Sequence, residues 1–246
     1  MGLIVPAVLP ASKQELEEKL ALLTRIHSVS RVQIDVVDGM FASPASWPYS
    51  AEATKGRPYR ELEAMVQKGE MLPHLERFTY EIDLMCNNAE KMAEAWLALG
   101  ATRLTFHAES TTDLGRLLAS ARRLFGAGGG FTSGLISFGV AINLASDLTL
   151  IEPCIDEVEY VQFMGIARIG RQGQPFDRRV FEKIKTFHAK HPEIVLQVDG
   201  GVSLENTHRL LAFGVSDLVV GSALLKAHDI ADAFALFEAL QTSYGV

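Results

Sequence analysis

Residues 194–221 read IVLQVDGGVSLENTHRLLAFGVSDLVVG, and this stretch decides the fold. Ile194 to Asp199 is a short β-rich run, Leu204 to Phe213 has helical period, and Asp217 to Gly221 is a second β-rich run. Ser203 stands where a helix N-cap is wanted, and Gly214 where a left-handed residue ends the helix. Strand, helix and strand in such short compass make a parallel unit, because parallel neighbours need a crossover between them.

Outward from this unit the alternation continues to both ends. Further strands are predicted at Leu3 to Leu9, Arg31 to Asp35, Phe78 to Met85, Thr102 to His107, Ser137 to Asn143 and Tyr160 to Met164. Helices are predicted at Lys13 to Ile26, Tyr59 to Gln67, Ala89 to Leu99, Thr112 to Phe125, Arg178 to Ala189 and Ile230 to Ser243. The fifth crossover, near Leu148 to Pro153, is interrupted by Pro153. Ser12 with Glu15 three residues on makes a capping box, and Gly100 follows its helix as Gly214 does. Eight such pairs favour an α/β fold closed into a (β/α)8 TIM barrel, a single domain over residues 1–246, with an open doubly wound sheet as runner-up. The glycine-rich stretch Gly126 to Gly134 reads as a surface loop, not a linker.

Composition agrees. The chain has 246 residues, 48% of them hydrophobic, without the apolar tract a spanning helix needs. Its net charge of −7, from 23 basic against 30 acidic residues, excludes a broad basic surface for nucleic acid or anionic membrane, so any anionic ligand must be held in a local pocket. Cys86 and Cys154 lack CxxC spacing and suggest neither a disulfide framework nor a structural zinc. Together with a start that carries no basic, apolar leader, they fit a cytoplasmic protein.

In a parallel barrel the site forms at the carboxyl ends of the strands. Gln33 with Asp35, Glu81 with Asp83, Thr105 with His107 and Gln197 with Asp199 share faces by the period of two and are expected in the mouth. One carboxylate at a strand end is more often a cap or ion-pair partner than a catalyst, but here three converge. Asp38, before Gly39, reads as a turn residue. Among seven histidines only His107 closes a strand, and structural and substrate-contacting roles both stay open for it. Asp199-Gly200-Gly201-Val202 and Val220-Gly221-Ser222-Ala223 suggest a phosphate cradle, because backbone amides approach an anion closely where side chains are missing. The loop containing Gly173 and Gln174 is placed to close over the same anion, while Arg168 and Arg171 read equally well as solvated.

These residues resemble the ribulose-phosphate 3-epimerases of the ribulose-phosphate-binding barrels over nearly the whole chain. Residues 32–41, VQIDVVDGMF, look like the family's His-x-Asp-x-Met-Asp-Gly-His-Phe; Asp83-Leu84-Met85 is similar to His-Leu-Met, and His107-Ala108-Glu109 to His-x-Glu. Gly173-Gln174-Pro175-Phe176 resembles Gly-Gln-x-Phe. The resemblance implies epimerisation of a ketose phosphate beside its ketone, Asp35 and Asp199 as acid and base, Met85, His107 and Met164 around the substrate, and a homo-oligomer. It also implies a divalent metal on Gln33, Asp35, Asp83 and Asp199, where the family has two histidines and two aspartates. With both imidazoles gone, an all-oxygen set suits Mg²⁺ or Mn²⁺ better than Zn²⁺, and the metal can also be absent. Ala7 stands for the family's early serine, Val37 for one methionine, and the loop from Met164 to Phe176 is one residue longer and lacks Pro-Gly-Phe. Two alternatives remain: a sugar-phosphate binder without catalysis, and an aldolase or decarboxylase of the same barrel. The latter carry Asp-x-Lys-x-x-Asp, and residues 33–38 contain no lysine.

Overall fold

The computed structural model describes residues 2–50, 59–126 and 135–244. Eight parallel strands close in sequence order: β1 (Ile4–Val8), β2 (Arg31–Val37), β3 (Thr79–Met85), β4 (Arg103–His107), β5 (Ser137–Ile142), β6 (Tyr160–Met164), β7 (Val195–Asp199) and β8 (Asp217–Val220). Val5 opposite Val219 joins the last strand to the first, so the sheet has no edge and the open alternative is excluded. The helices are α1 (Lys13–Leu23), α2 (Arg60–Lys68), α3 (Ala89–Ala98), α4 (Leu114–Ala121), α5 (Val180–Lys190), α6 (Leu204–Ala212), α7 (Ser222–Leu225) and α8 (Ile230–Ser243). No helix among the described residues is long and apolar enough to cross a membrane.

Local chemistry sets these boundaries. Ser12 accepts from the Glu15 amide, Ser203 and Asn206 form a reciprocal capping box, and Gly100 and Gly214 take φ of +100° and +84° after their helices. The fifth crossover is two 3₁₀ segments, Leu148–Leu150 and Glu152–Glu157, which bury Ile151, Cys154 and Ile155 without a full helix. Strand β2 runs two residues beyond its predicted end because Val36 and Val37 keep pairing with Leu84 and Met85. The helix predicted to Phe125 is regular only to Ala121 and continues as a wider turn, Arg122–Gly126. The rest of the predicted glycine-rich loop, 127–134, lies outside the described residues.

The pleat separates two environments. Val32, Ile34, Val36, Tyr80, Ile82, Leu84, Leu104, Phe106, Val161, Phe163, Leu196 and Val198 belong to the main core under the helices, each contributing about 1.5–3 kcal/mol by burial. The alternate residues point inward, and there the barrel is largely polar. Glu81, fully buried, accepts from Arg103 at 3.0 Å and Thr105 at 3.1 Å; Arg31 pairs with Asp217 at 2.6 Å; the Arg103 guanidinium lies 3.9 Å over the Tyr160 ring. These contacts pair the charges of the floor, although Arg103 Nη2 is left without a hydrogen bond, 3.9 Å from Asp217. The floor supports a layer of buried amides, Gln33, Gln162 and Gln197, directly beneath the carboxyl ends of the strands.

Candidate active site

Register builds the site. Asp35 lies opposite Asp83 across β2 and β3, and Met164 opposite Asp199 across β6 and β7, so inward residues near the carboxyl ends of four strands meet. One oxygen from each of Asp35, Asp83 and Asp199 lies within 4.8 Å of the others, and all three residues are buried. Gln33 Nε2 donates to Asp35 Oδ1 at 2.8 Å and to Asp199 Oδ2 at 3.3 Å, bridging the two carboxylates. The carbonyl oxygen expected to face a cation points instead toward Gln197 Nε2, at 3.4 Å. Carboxylates only accept, so an amide between two of them is satisfied nitrogen first. In this arrangement Gln33 is a donor to the aspartates, not a fourth oxygen ligand.

Asp83 is held from two sides. His107 Nε2 lies 3.0 Å from its Oδ1, and Gln162 Nε2 donates to its Oδ2 at 3.2 Å. Neither Asp83 nor His107 reaches the pocket wall; both have no exposed surface, and the Phe41 ring packs 5.5 Å from the imidazole. The substrate-facing place expected for His107 is therefore corrected: it is a buried partner of Asp83. Burial opposes its charge, but the carboxylate beside it outweighs that and raises the imidazole pKa. Val37, Ala42 and Met85, with Leu9, Phe41 and Ile169 against them, form a small apolar roof. Asp38 does act in a turn, accepting from the amides of Met40 and Phe41 at 2.7 Å.

Electrostatics sets apart the two aspartates on the pocket wall. Burial first, then the charges of Asp199 and Asp83, pushes Asp35 well above the ordinary carboxylate range. Burial and Asp83 push Asp199 up to about 7, against the lowering effect of Gln33 and His107. Without a cation, burial and the neighbouring charges make both carboxyls hold their protons to higher pH than a free carboxylic acid, Asp199 to about 7. Carboxyls raised in this way can give and take a proton nearer neutrality than ordinary ones.

The pocket beside them is lined by Asp35, Met85, Met164, Gly173, Gln174, Asp199, Gly200, Gly201, Gly221 and Ser222, which brings the two expected acid–base residues, both methionines and the expected phosphate cradle together. At Gly201, φ is +68° and a Cβ would meet the Phe176 backbone at 2.7 Å; only glycine fits. Gln174 lines this space as expected, but its Nε2 is spent on the carbonyls of Arg168 and Arg171 and braces the loop. Arg171, read as solvated, donates to Ser43 O at 2.9 Å. Sequence reasoning assigned no role to Gln162, although its place two residues before Met164 on the same face is a signal, and gave Gln172 only a place in the loop expected to close over the anion. The loop narrows the pocket to a volume of about 40 Å³.

Three convergent aspartates over a glycine cradle at the mouth of a parallel barrel agree with the comparison with known proteins. The sequence model of the ribulose-phosphate 3 epimerase family matches residues 62–225. The chain belongs to this family. Ribulose-phosphate 3-epimerase from Aquifex aeolicus is 24% identical over 234 residues, covering 94% of this chain and 92% of that one. The chloroplastic ribulose-5-phosphate-3-epimerase of Arabidopsis thaliana is 26% identical over 238 residues, 94% of this chain and 74% of its own. Among solved structures, 3-keto-L-gulonate-6-phosphate decarboxylase from Vibrio cholerae superposes with a TM-score of 0.67 at 13% identity, over 99% of this chain and 98% of that one, which shows a shared fold. The family is one of sugar-phosphate barrel enzymes that typically use a divalent metal. The carboxylate cluster fits such an ion in kind: one oxygen from each of three aspartates, within 4.8 Å of one another, makes the hard-oxygen donor set such a cation takes.

Proposed function

We propose that the protein is a ketose-phosphate 3-epimerase in which Asp35 and Asp199 exchange the proton on the carbon next to the ketone. The observation that carries this reading is the pair itself: two buried carboxyls on opposite sides of the barrel, bridged by Gln33, both on the wall of the glycine-lined pocket, with different proton affinities. The phosphate sits against the amides around Gly201, Gly221 and Ser222, beneath Gly173. Seating it there fixes the sugar carbon between the carboxyls. In one direction Asp199 removes the proton and Asp35 returns one to the opposite face; in the other the roles exchange. Met85 and Met164 line the reacting carbon and exclude water. Asp35, Asp83 and Asp199 would hold a hard divalent cation, Mg²⁺ or Mn²⁺ in preference to Zn²⁺, which when bound supplies positive charge beside the carbonyl oxygen.

The test is proton exchange. With D-ribulose 5-phosphate and related pentose and hexose ketose phosphates in deuterated water, with and without Mg²⁺ or Mn²⁺, the enzyme should wash deuterium into the carbon next to the ketone. Asp35→Asn and Asp199→Asn should each slow epimerisation by roughly a hundredfold or more, the scale for losing a general acid or base. Tight binding with no exchange under any of these conditions would make the protein a sugar-phosphate binder instead.

A further inference from the structure

The loop after β6 crosses the mouth and ties itself to two distant strands. Arg171 Nε donates to Ser43 O, beyond β2, and the next residue, Gln172, donates from Nε2 to Ala7 O of β1 at 3.1 Å. A backbone carbonyl is only an acceptor, so the amide nitrogen, not its oxygen, is what faces Ala7. That nitrogen lies on the wall of the pocket shared with Asp35, Asp199, Gly201 and Ser222, and a Cβ on Gly221 would sit 2.6 Å from it. The amide therefore lies directly over the bare Gly221 backbone. It has two hydrogens, Ala7 O takes one, and no second acceptor within the described residues engages the other. Lys226 Nζ stands 3.5 Å from where a Cβ on the adjacent Gly173 would be, and it forms no ion pair among the described residues. The charge here favours an anion.

We infer that Gln172 is a phosphate-binding side chain that reads the phosphorylated end of the substrate, an inference that rests on the sugar-phosphate reading above. The Gln172 amide occupies the space directly over the bare Gly221 backbone, so an anion takes that place only if the loop lifts from Ala7. Lifting frees the amide nitrogen beside the cradle, and a phosphate oxygen then replaces the Ala7 carbonyl as its acceptor. The exchange trades a neutral hydrogen bond for a charge-assisted one and re-closes the loop on the ligand.

Calorimetric titration of D-ribulose 5-phosphate into wild type, Gln172→Ala, Gln172→Glu and Arg171→Ala tests this. Gln172→Ala should raise Kd by about 10–100-fold, the scale of a hydrogen bond to a charged group. Gln172→Glu should bind more weakly still, because it keeps the length but turns donor into anion. Arg171→Ala, which removes the other tether and a cation from the pocket wall, should raise Kd by less than Gln172→Ala does. Wild-type affinity in Gln172→Ala or in Gln172→Glu would overturn the inference, as would a loss in Arg171→Ala equal to that in Gln172→Ala, since Gln172 would then be only a brace. Absence of saturable binding to the wild type itself would refute the sugar-phosphate reading and this inference with it, an outcome separate from the others.

Discussion

Asp199→Asn should stabilise the metal-free protein at neutral pH while destroying its activity. The Asp199 carboxyl is pushed from 3.8 up to about 7 by burial and by Asp83. Its folded-state pKa is raised, so the folded protein keeps a proton that the unfolded chain releases, and stability falls as pH rises from about 4 to about 7, then levels. Three units at 1.36 kcal/mol each bring the loss to about 4 kcal/mol by pH 7. Asparagine, neutral at every pH and able to keep one acceptor for Gln33, escapes it. Asp35 is relieved of a charged neighbour in wild type as Asp199 protonates, so about half of this difference is the safer expectation, roughly 2 kcal/mol between pH 5 and 7.5. Urea unfolding of both proteins in EDTA across that range measures it. The gap should widen with pH; a constant gap, or a variant less stable than wild type at pH 7.5, would refute the claim that Asp199 is strained by burial and Asp83. Excess Mg²⁺ should narrow the gap by stabilising wild type alone.

Other outcomes follow from the same geometry. Gly201→Val, which drives a side chain into the Phe176 backbone 2.7 Å away at a φ of +68°, should weaken sugar-phosphate binding at least tenfold, as measured by calorimetry. Arg103→Ala strips Glu81 of its 3.0 Å partner inside the barrel and should cost about 3–5 kcal/mol in chemical denaturation, far more than the surface exchange Arg178→Ala. Thermal melts after dialysis against EDTA should rise on adding Mn²⁺ or Mg²⁺, and Asp83→Ala should abolish the rise; stoichiometric zinc in protein purified without added metal would contradict the oxygen-only ligand set.

The sequence by itself determined the barrel. Several helices carry their own caps, as at Ser12 and Ser203, and the strands their own period, so local propensity and burial point to the same eight units. It also determined that Asp35, Asp83 and Asp199 would gather, because a period of two and a parallel register put like positions of different strands at one level. What only the tertiary structure decided is who partners whom. His107 closes a strand just as the aspartates do, yet Phe41 from a loop covers it and Asp83 engages it, which removes it from the pocket. Gln33 turned its nitrogen rather than its oxygen inward because both its neighbours, Asp35 on its own strand and Asp199 166 residues away in sequence, are acceptors. Gln172 sits in a loop without periodicity, and its place over Gly221 depends on Ala7, 165 residues distant. Hydrogen bonds of side chains at such separations leave no periodic trace in a sequence; the closed barrel creates them by bringing the strand ends and their loops into one mouth.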